Sequence, residues 1–499
     1  MTIQTTSVTP NMTAATSVTT SDIRVFAKGG IISLAGKFIG RGTNSLLQIF
    51  LARALGPQAL GLYALGWTTI RLGGVLIPLG LDRGIIHFTS NDWQENPGRF
   101  RSILQRSLAA GFISGCLTGI LLFVAAPQLA AFMQKPELVN VLRGFAFAYP
   151  LLAGMKIMAA ATTVSKRMQY AVYIEDFGFP FFNLMLFLIL FGFGMKLTGA
   201  IIATICSLLI VCALGFYFLK QILADLPLAT VVPSMTLPMG TLLAYSVPSA
   251  FAGVFNVLLL WLDRYFIGYY LSAEQTGIYQ ALTQIPILFV ISLQGLNAIF
   301  SPMIASIYAQ KEHTRLNELF KISTKWGIYC SLPLFIVAVL FPDHLLYVMF
   351  GSRYMGWTVP LIILATGQML NAITGPVGYM LIMTGHQKYW FWLCMIALII
   401  NSVLNSWLVP LYGFSGAAIA TAISVVTLNG GALLQTRRVL QLWPYDWRYL
   451  KGVIAAATTT VSVLFYAHFA IGWPLVVQLF GALALVGVMF YGLLFLLWI

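Results

Sequence analysis

Leu55-Gly56-Pro57-Gln58-Ala59-Leu60-Gly61-Leu62-Tyr63 returns as Leu271-Ser272-Ala273-Glu274-Gln275-Thr276-Gly277-Ile278-Tyr279, a shift of 216 residues. Gly199-Ala200-Ile201-Ile202-Ala203-Thr204 returns as Gly416-Ala417-Ala418-Ile419-Ala420-Thr421, a shift of 217. Between them, Gln169 and Asn183 match Gln387 and Asn401 at a shift of 218. Matches in order at nearly constant spacing mark a duplication. Six apolar runs of about 20 residues, the length that crosses a bilayer, fit in one period. An even number returns the chain to its starting side, so the copies should share one orientation. They are expected to be related by a pseudo-two-fold axis normal to the membrane, with a substrate cavity at their interface.

Composition supports this outward from the repeat. With 59% hydrophobic and 8% charged residues, and a mean hydropathy of +0.87, a soluble globular domain is excluded. The expected fold is an all-α polytopic membrane protein of about 14 transmembrane helices, two six-helix lobes plus two extra C-terminal helices. Residues 1–26 read as a disordered cytoplasmic tail without the apolar core of a signal peptide. Residues 27–220 read as the N-lobe, 221–239 as a cytoplasmic linker, 240–437 as the C-lobe and 438–499 as the last two spans.

The net charge of +14 is a topology signal and gives no reason to invoke a nucleic acid partner. Of the 28 Lys and Arg residues, 18 fall in segments assigned to the cytoplasm and four inside spans. Only Arg53, Lys135, Arg143, Lys196, Arg264 and Arg353 fall on the far side. With the N-terminus taken as cytoplasmic, this positive-inside bias supports an orientation with both termini in the cytoplasm, and the cytoplasmic (inner) membrane is the expected location. The five cysteines are scattered without metal-ligand spacing, and the histidines sit in loops or near span ends. No phosphate loop, HExxH or GxSxG motif occurs, and no loop has room for a catalytic domain. Neither a metal nor a cofactor is expected.

Lys37, Arg41, Arg71 and Lys156 are the four bases within spans. Burying four ionised groups near mid-bilayer costs on the order of 10 kcal/mol. The 14 acids all read as loop or span-end residues, so none is expected beside these bases and an anionic ligand is the expected partner. Lys37, Arg41, Asn44 and Gln48 share one helical face. Arg41 sits about 18 Å from either span end, too far to snorkel. Arg71 continues a face begun by Tyr63 and Trp67, whereas Lys156 fits snorkelling and function equally.

The second half reads as uncharged within its spans but rich in amides. Asn256, Gln280, Gln284, Gln368 and Asn371, with Asn44 and Gln48, are candidates to face a hydroxyl-rich cargo, although such groups commonly bond neighbouring helices. Asp82 and Arg83, and likewise Asp263 and Arg264, form Leu-Asp-Arg triplets at span ends. Adjacent helical residues do not face each other, so neither triplet should neutralise itself. Solvated span ends are the default reading and gate contacts the sharper one.

The Leu-Gly-Pro-x-x-x-Gly-Leu-Tyr stretch at 55–63, Gly80-Leu81-Asp82-Arg83, and Tyr412-Gly413-Phe414-Ser415-Gly416-Ala417-Ala418-Ile419-Ala420-Thr421 resemble the polysaccharide-transport family. These are the Wzx-type flippases of the multidrug/oligosaccharidyl-lipid/polysaccharide superfamily. The resemblance covers roughly residues 24–440. It implies two lobes around a central cavity, alternating access, and a cargo of oligosaccharide on a polyprenyl diphosphate of the undecaprenyl type. It further implies a role in O-antigen, capsule or exopolysaccharide assembly, with membrane lipids and other polysaccharide-assembly membrane proteins as partners. The span count looks like the lipid II flippases, whose last two helices border a groove for the lipid tail. Lys37, Arg41, Arg71 and Lys156 are then candidates for the diphosphate, and a mid-membrane carboxylate used by some relatives is expected to be missing. The rivals are a lipid II-type flippase, a multidrug exporter (which would want buried acids), a membrane-embedded polymerase or ligase (which would want a large outer loop) and a scaffold.

Overall fold

The computed structural model describes residues 20–90, 93–165, 167–226, 237–447 and 449–498. The first copy comprises α1 (Thr20–Leu76), α2 (Leu81–Thr89), α3 (Pro97–Phe132), α4 (Leu138–Ala146), α5 (Ala148–Val164), α6 (Met168–Ala171), a π-helical turn (Val172–Asp176), α7 (Gly178–Gly192) and α8 (Leu197–Ala224). The second comprises α9 (Met239–Tyr270), α10 (Ala273–Ala309), α11 (His313–Leu340), α12 (Pro342–Phe350), a 3-10 turn (Ser352–Tyr354), α13 (Thr358–Thr374), α14 (Val377–Met383), α15 (Gln387–Tyr412) and α16 (Phe414–Leu440). Two further helices, α17 (Tyr449–Phe469) and α18 (Leu475–Trp498), pack on α11 and α12 of the second copy.

Among the described residues nine helices are long and apolar enough to cross a membrane, or 12 if each bent pair is one span. The first, Gly36–Thr89, runs 54 residues, over twice the length a bilayer needs. Gly56 breaks it with φ 74° and ψ 173°, a conformation open to glycine and strained for any L side chain, and Pro57 then starts a new helix. The second copy makes the same turn differently. Ser272 stays extended and forms a capping box with Gln275 before α10.

The duplicated segments pack against each other. A Cβ on Gly61 would overlap the Ala273 carbonyl, and one on Gly277 would overlap that of Pro57. Gly61 corresponds to Gly277 and Pro57 to Ala273, so this contact is reciprocal, as a two-fold relation requires. A second correspondence lies beneath it. Tyr63 Oη is 3.0 Å from Thr204 Oγ1, and Tyr279 Oη is 3.4 Å from Thr421 Oγ1. Both bonds join residues that the repeat made equivalent.

Several of the bases assigned to opposite sides of the membrane tie helix ends together. Arg53 donates to the Met349 carbonyl at 2.9 Å and to that of Val348, capping the C-terminus of α12. Lys135 donates to carbonyls of Met133, Gly268 and Leu271, tying the first copy to the end of α9. Partial burial lowers the Lys135 ammonium pKa, while those carbonyls suit a cation at a helix C-terminus. Of the bases assigned to the cytoplasm, Arg101 donates to the Leu223 carbonyl, and Arg167 pairs with Asp225 at 2.6 Å. Ile113, Leu117, Ile120 and Val124 expose one apolar face of α3, a surface suited to lipid and too large for water.

Candidate functional site

The site begins with a motif inside the first span. Gly36 and Gly40 are four apart on α1, the close-packing spacing of membrane helices. A Cβ at Gly36 would overlap Val172, and one at Gly40 would overlap the backbone carbonyl of Asp176. The π-helical turn therefore seats directly on α1. Phe177 N donates to the Val172 carbonyl five residues back at 2.9 Å in place of the Tyr173 carbonyl, and Pro180 just beyond has no N–H to offer the Asp176 carbonyl. Lys37 and Arg41 each follow one of the two glycines, and the docking brings Glu175 and Asp176 to the same cavity wall as Lys37 and Lys156, with Arg41 and Arg71 in electrostatic reach.

This corrects the expectation that no acid lies beside the intramembrane bases. A cavity of about 530 Å³ is lined by Lys37, Arg83 and Lys156 together with Asp82, Glu175 and Asp176. Glu175 and Asp176 read as loop residues because they follow a polar stretch at 165–169. The overlooked signal is the aromatic and apolar sequence on both sides, which puts the pair inside the span Gln169–Gly192. Lys156 faces inward and donates to the Gly74 carbonyl at 2.9 Å, so it does not snorkel.

A larger cavity of about 900 Å³ adjoins this one and lies between the copies. Asp82, Arg83 and Lys156 line both. Its opposite wall comes from α9 and α15, with Phe255, Gln387, Lys388, Trp390 and Phe391. The aromatic wall went unpredicted because Trp390 and Phe391 sit near a span end and read as interfacial residues. Gly80 and Gly84 of α2 press on Ser246 of α9 nearby, so the copies also touch at this end.

Arg71 lies between aromatic rings, 5.0 Å from the centroid of Trp67 and 5.7 Å from that of Trp261 on the other copy. It is solvent-accessible in the last turns of α1 but lines neither cavity, and its cation–π partners account for part of its stability there.

Asp263 and Arg264 require two corrections. They are 2% and 5% exposed, inside α9, so the second copy does bury charge and does hold a carboxylate. They also pair with each other, Arg264 Nη1 donating to Asp263 Oδ1 at 2.8 Å. The long Arg side chain folds back along its helix, donating as well to the Leu260 carbonyl at 2.7 Å. Tyr279 donates to Asp263 Oδ2 at 2.6 Å, the Thr421 hydroxyl lies 3.3 Å from the same oxygen and 3.4 Å from Tyr279 Oη with one proton to share between them, and Gln280 and Thr283 accept from Arg264. Asp82 and Arg83 line the cavities, whereas Asp263 and Arg264 are locked among helices, so the two triplets are not brought together.

The amides divide similarly. Gln280 donates to Gln48 Oε1 at 3.2 Å across the copies, and Gln284 donates to the Gln280 carbonyl at 3.1 Å. All three are buried and line neither cavity. Asn44, Gln368 and Asn371 are half-buried, the last two bonded to each other at 3.2 Å. The side chain of Asn256 lies outside the described residues.

A model of a family described as polysaccharide biosynthesis protein matches residues 50–358, more than half of the sequence. The chain belongs to that family. It is similar to a probable low-salt glycan biosynthesis flippase, Agl15 of Haloferax volcanii, being 25% identical over 180 residues that cover 36% of this chain and 38% of that protein. The chain spans less than half the length of the relatives it matches. Among solved structures, the lipid II flippase MurJ in an inward closed conformation aligns with a TM-score of 0.72 at 14% identity, over 94% of this chain and 99% of that one. An inward-facing multidrug resistance MATE family transporter of the MOP superfamily aligns with a TM-score of 0.65 at 15% identity, over 83% and 98%. These likenesses establish an all-helical, multi-span membrane fold of the MurJ and MATE type for this family member.

Proposed function

We propose that the chain is a flippase that carries a polyprenyl-diphosphate-linked oligosaccharide across the cytoplasmic membrane by alternating access, for surface polysaccharide assembly. The observation that supports this most directly is a large cavity between the copies, aromatic on the α9 and α15 side, that adjoins a smaller cavity of the first copy lined by Lys37, Arg83 and Lys156 with their counter-charges. Lys37, Arg41, Arg71 and Lys156 bind the diphosphate, where ionic hydrogen bonds are strengthened by low dielectric. The glycan extends into the larger cavity against Phe255, Trp390 and Phe391, with Asn44, Gln368 and Asn371 as further sugar contacts. Asp82 and Arg83 gate its mouth.

The fourteen-span arrangement belongs to the same proposal. Counting α9 as a span and dividing Gly36–Thr89 at Gly56 adds two to the twelve. Six then fall in each lobe, joined by a cytoplasmic linker, with both termini in the cytoplasm. The acids in the cavity remove the absence that had set a cation exporter aside. What still opposes it is a small excess of bases around the two cavities, Lys37, Arg83, Lys156 and Lys388 against Asp82, Glu175 and Asp176.

The test is surface-polysaccharide assembly in a strain lacking the native gene. Arg41→Ala with Arg71→Ala should reduce it at least tenfold, since each charged hydrogen bond lost contributes about 1.5–3 kcal/mol. Unchanged assembly by that double variant would remove the anion site.

A further inference from the structure

Glu175 and Asp176 face bases without gripping them. Asp176 is in electrostatic reach of Lys37 and Arg41, and Glu175 of Lys156 and Arg71. Yet among the described residues neither carboxylate forms an ion pair within 4.0 Å. Asp263, by contrast, is held by Arg264, Tyr279 and Thr421. The loose acids ride on the sole π-helical turn among the described residues, seated on α1 through Gly36 and Gly40. Such turns recur at functional sites.

We propose that Glu175 and Asp176 are resident counter-anions of the cavity: they neutralise its bases in the empty carrier and yield them to the diphosphate of the cargo. This rests on the reading of Lys37, Arg41 and Lys156 as the diphosphate site. The balance of charge explains why such a device is needed. Bases left alone in a low-dielectric cavity would destabilise the empty protein. A diphosphate offers more charge and more acceptor oxygens than a carboxylate, and it matches the Arg fork bidentately, so it outcompetes the acids. Once it is seated, the two carboxylates lie beside it as like charges and weaken its hold. A carrier must release what it binds, and a site of bases alone would keep its cargo.

The experiment uses the full chain in lipid nanodiscs, titrated with farnesyl diphosphate as the probe. Glu175→Gln with Asp176→Asn should bind the probe about tenfold more tightly, since two nearby like charges are removed, and should flip lipid-linked glycan more slowly in proteoliposomes. Asp176→Glu, which keeps the charge, should bind as the natural protein does. Unchanged or weaker binding by the double variant would overturn the proposal, because acids that merely support the fold would give that result. If the double variant does not fold, Glu175→Gln and Asp176→Asn are read singly, each expected to bind a few-fold more tightly. Failure of both single variants to fold would also overturn it. The underlying reading fails separately, if the natural protein does not bind farnesyl diphosphate or if Arg41→Ala leaves binding intact. Binding lost in Arg41→Ala but unmoved by the acid substitutions would reject the counter-anions alone.

Discussion

The two copies make the same bond beneath the same crossing, yet only the second sets charges under it. Tyr63 meets Thr204 in the first copy and Tyr279 meets Thr421 in the second. At the 216-residue offset, Asp263 and Arg264 correspond to Leu47 and Gln48. The first copy keeps its charges loose around a cavity, and the second locks an ion pair among α9, α10 and α16. Duplication thus supplies a symmetric scaffold, while the number of polar partners around each charge separates the fixed groups from those free to meet a ligand.

The largest effect should come from unbalancing that locked pair. Arg264→Gln leaves Asp263 buried without its cation and should destabilise the protein by about 3–5 kcal/mol, the range for breaking a buried ion pair. Asp263→Leu with Arg264→Gln gives the second copy the Leu-Gln of the first. That double variant should recover most of the loss, since replacing a buried pair outright is often neutral. Thermal unfolding in detergent measures both. Equal destabilisation by the single and double variants would mean that Asp263 contributes through Tyr279 and Thr421 more than through Arg264.

The scaffold half of this comparison was legible in the sequence and the charge half was not. Recurrence of Gly61 as Gly277 and of Thr204 as Thr421 needs only like residues at like spacing, and the structure puts corresponding contacts at these corresponding residues. Lys37 and Lys156 stood out because a base in an apolar run is conspicuous, and both line the smaller cavity, whereas Arg41 and Arg71, equally conspicuous, line neither. Glu175 and Asp176 were missed because their span starts with a polar stretch and its backbone widens at a turn that only Pro180 hinted at. The Asp263–Arg264 pair was missed for a different reason. Cβ directions on a helix exclude contacts between short neighbours, but the reach of an Arg side chain curling back along its own helix escapes that rule. The amides fell between these cases. Periodicity put Gln280 and Gln284 on one face, and only packing revealed that this face meets Gln48 rather than water.

An intermediate effect should come from the crossing itself. Gly61→Ala and Gly277→Ala each drive a methyl into a backbone carbonyl of the other copy, which no side-chain rotation can relieve. Each should destabilise by about 1–3 kcal/mol, the usual range for overpacking, and should do so to a similar extent. Together they should lose less than the sum, because they open one shared contact. Unfolding midpoints of the two single variants give the direct check. A large difference between them would show that the copies do not meet reciprocally.

The smallest and sharpest effect is a difference between two tyrosines. Tyr63→Phe removes a bond to a neutral hydroxyl, worth about 0.5–1.5 kcal/mol. Tyr279→Phe removes the same bond and also the one donated to Asp263 at 2.6 Å, and bonds to charged groups contribute about 1.5–3 kcal/mol. The second substitution should therefore exceed the first by about 1 kcal/mol. The excess should vanish when Asp263→Leu and Arg264→Gln are already present, because Tyr279 then has only Thr421 left, as Tyr63 has Thr204. A double-mutant cycle measures that coupling directly. An excess that persisted without the carboxylate would place the asymmetry between the copies in their packing and not in the buried charge.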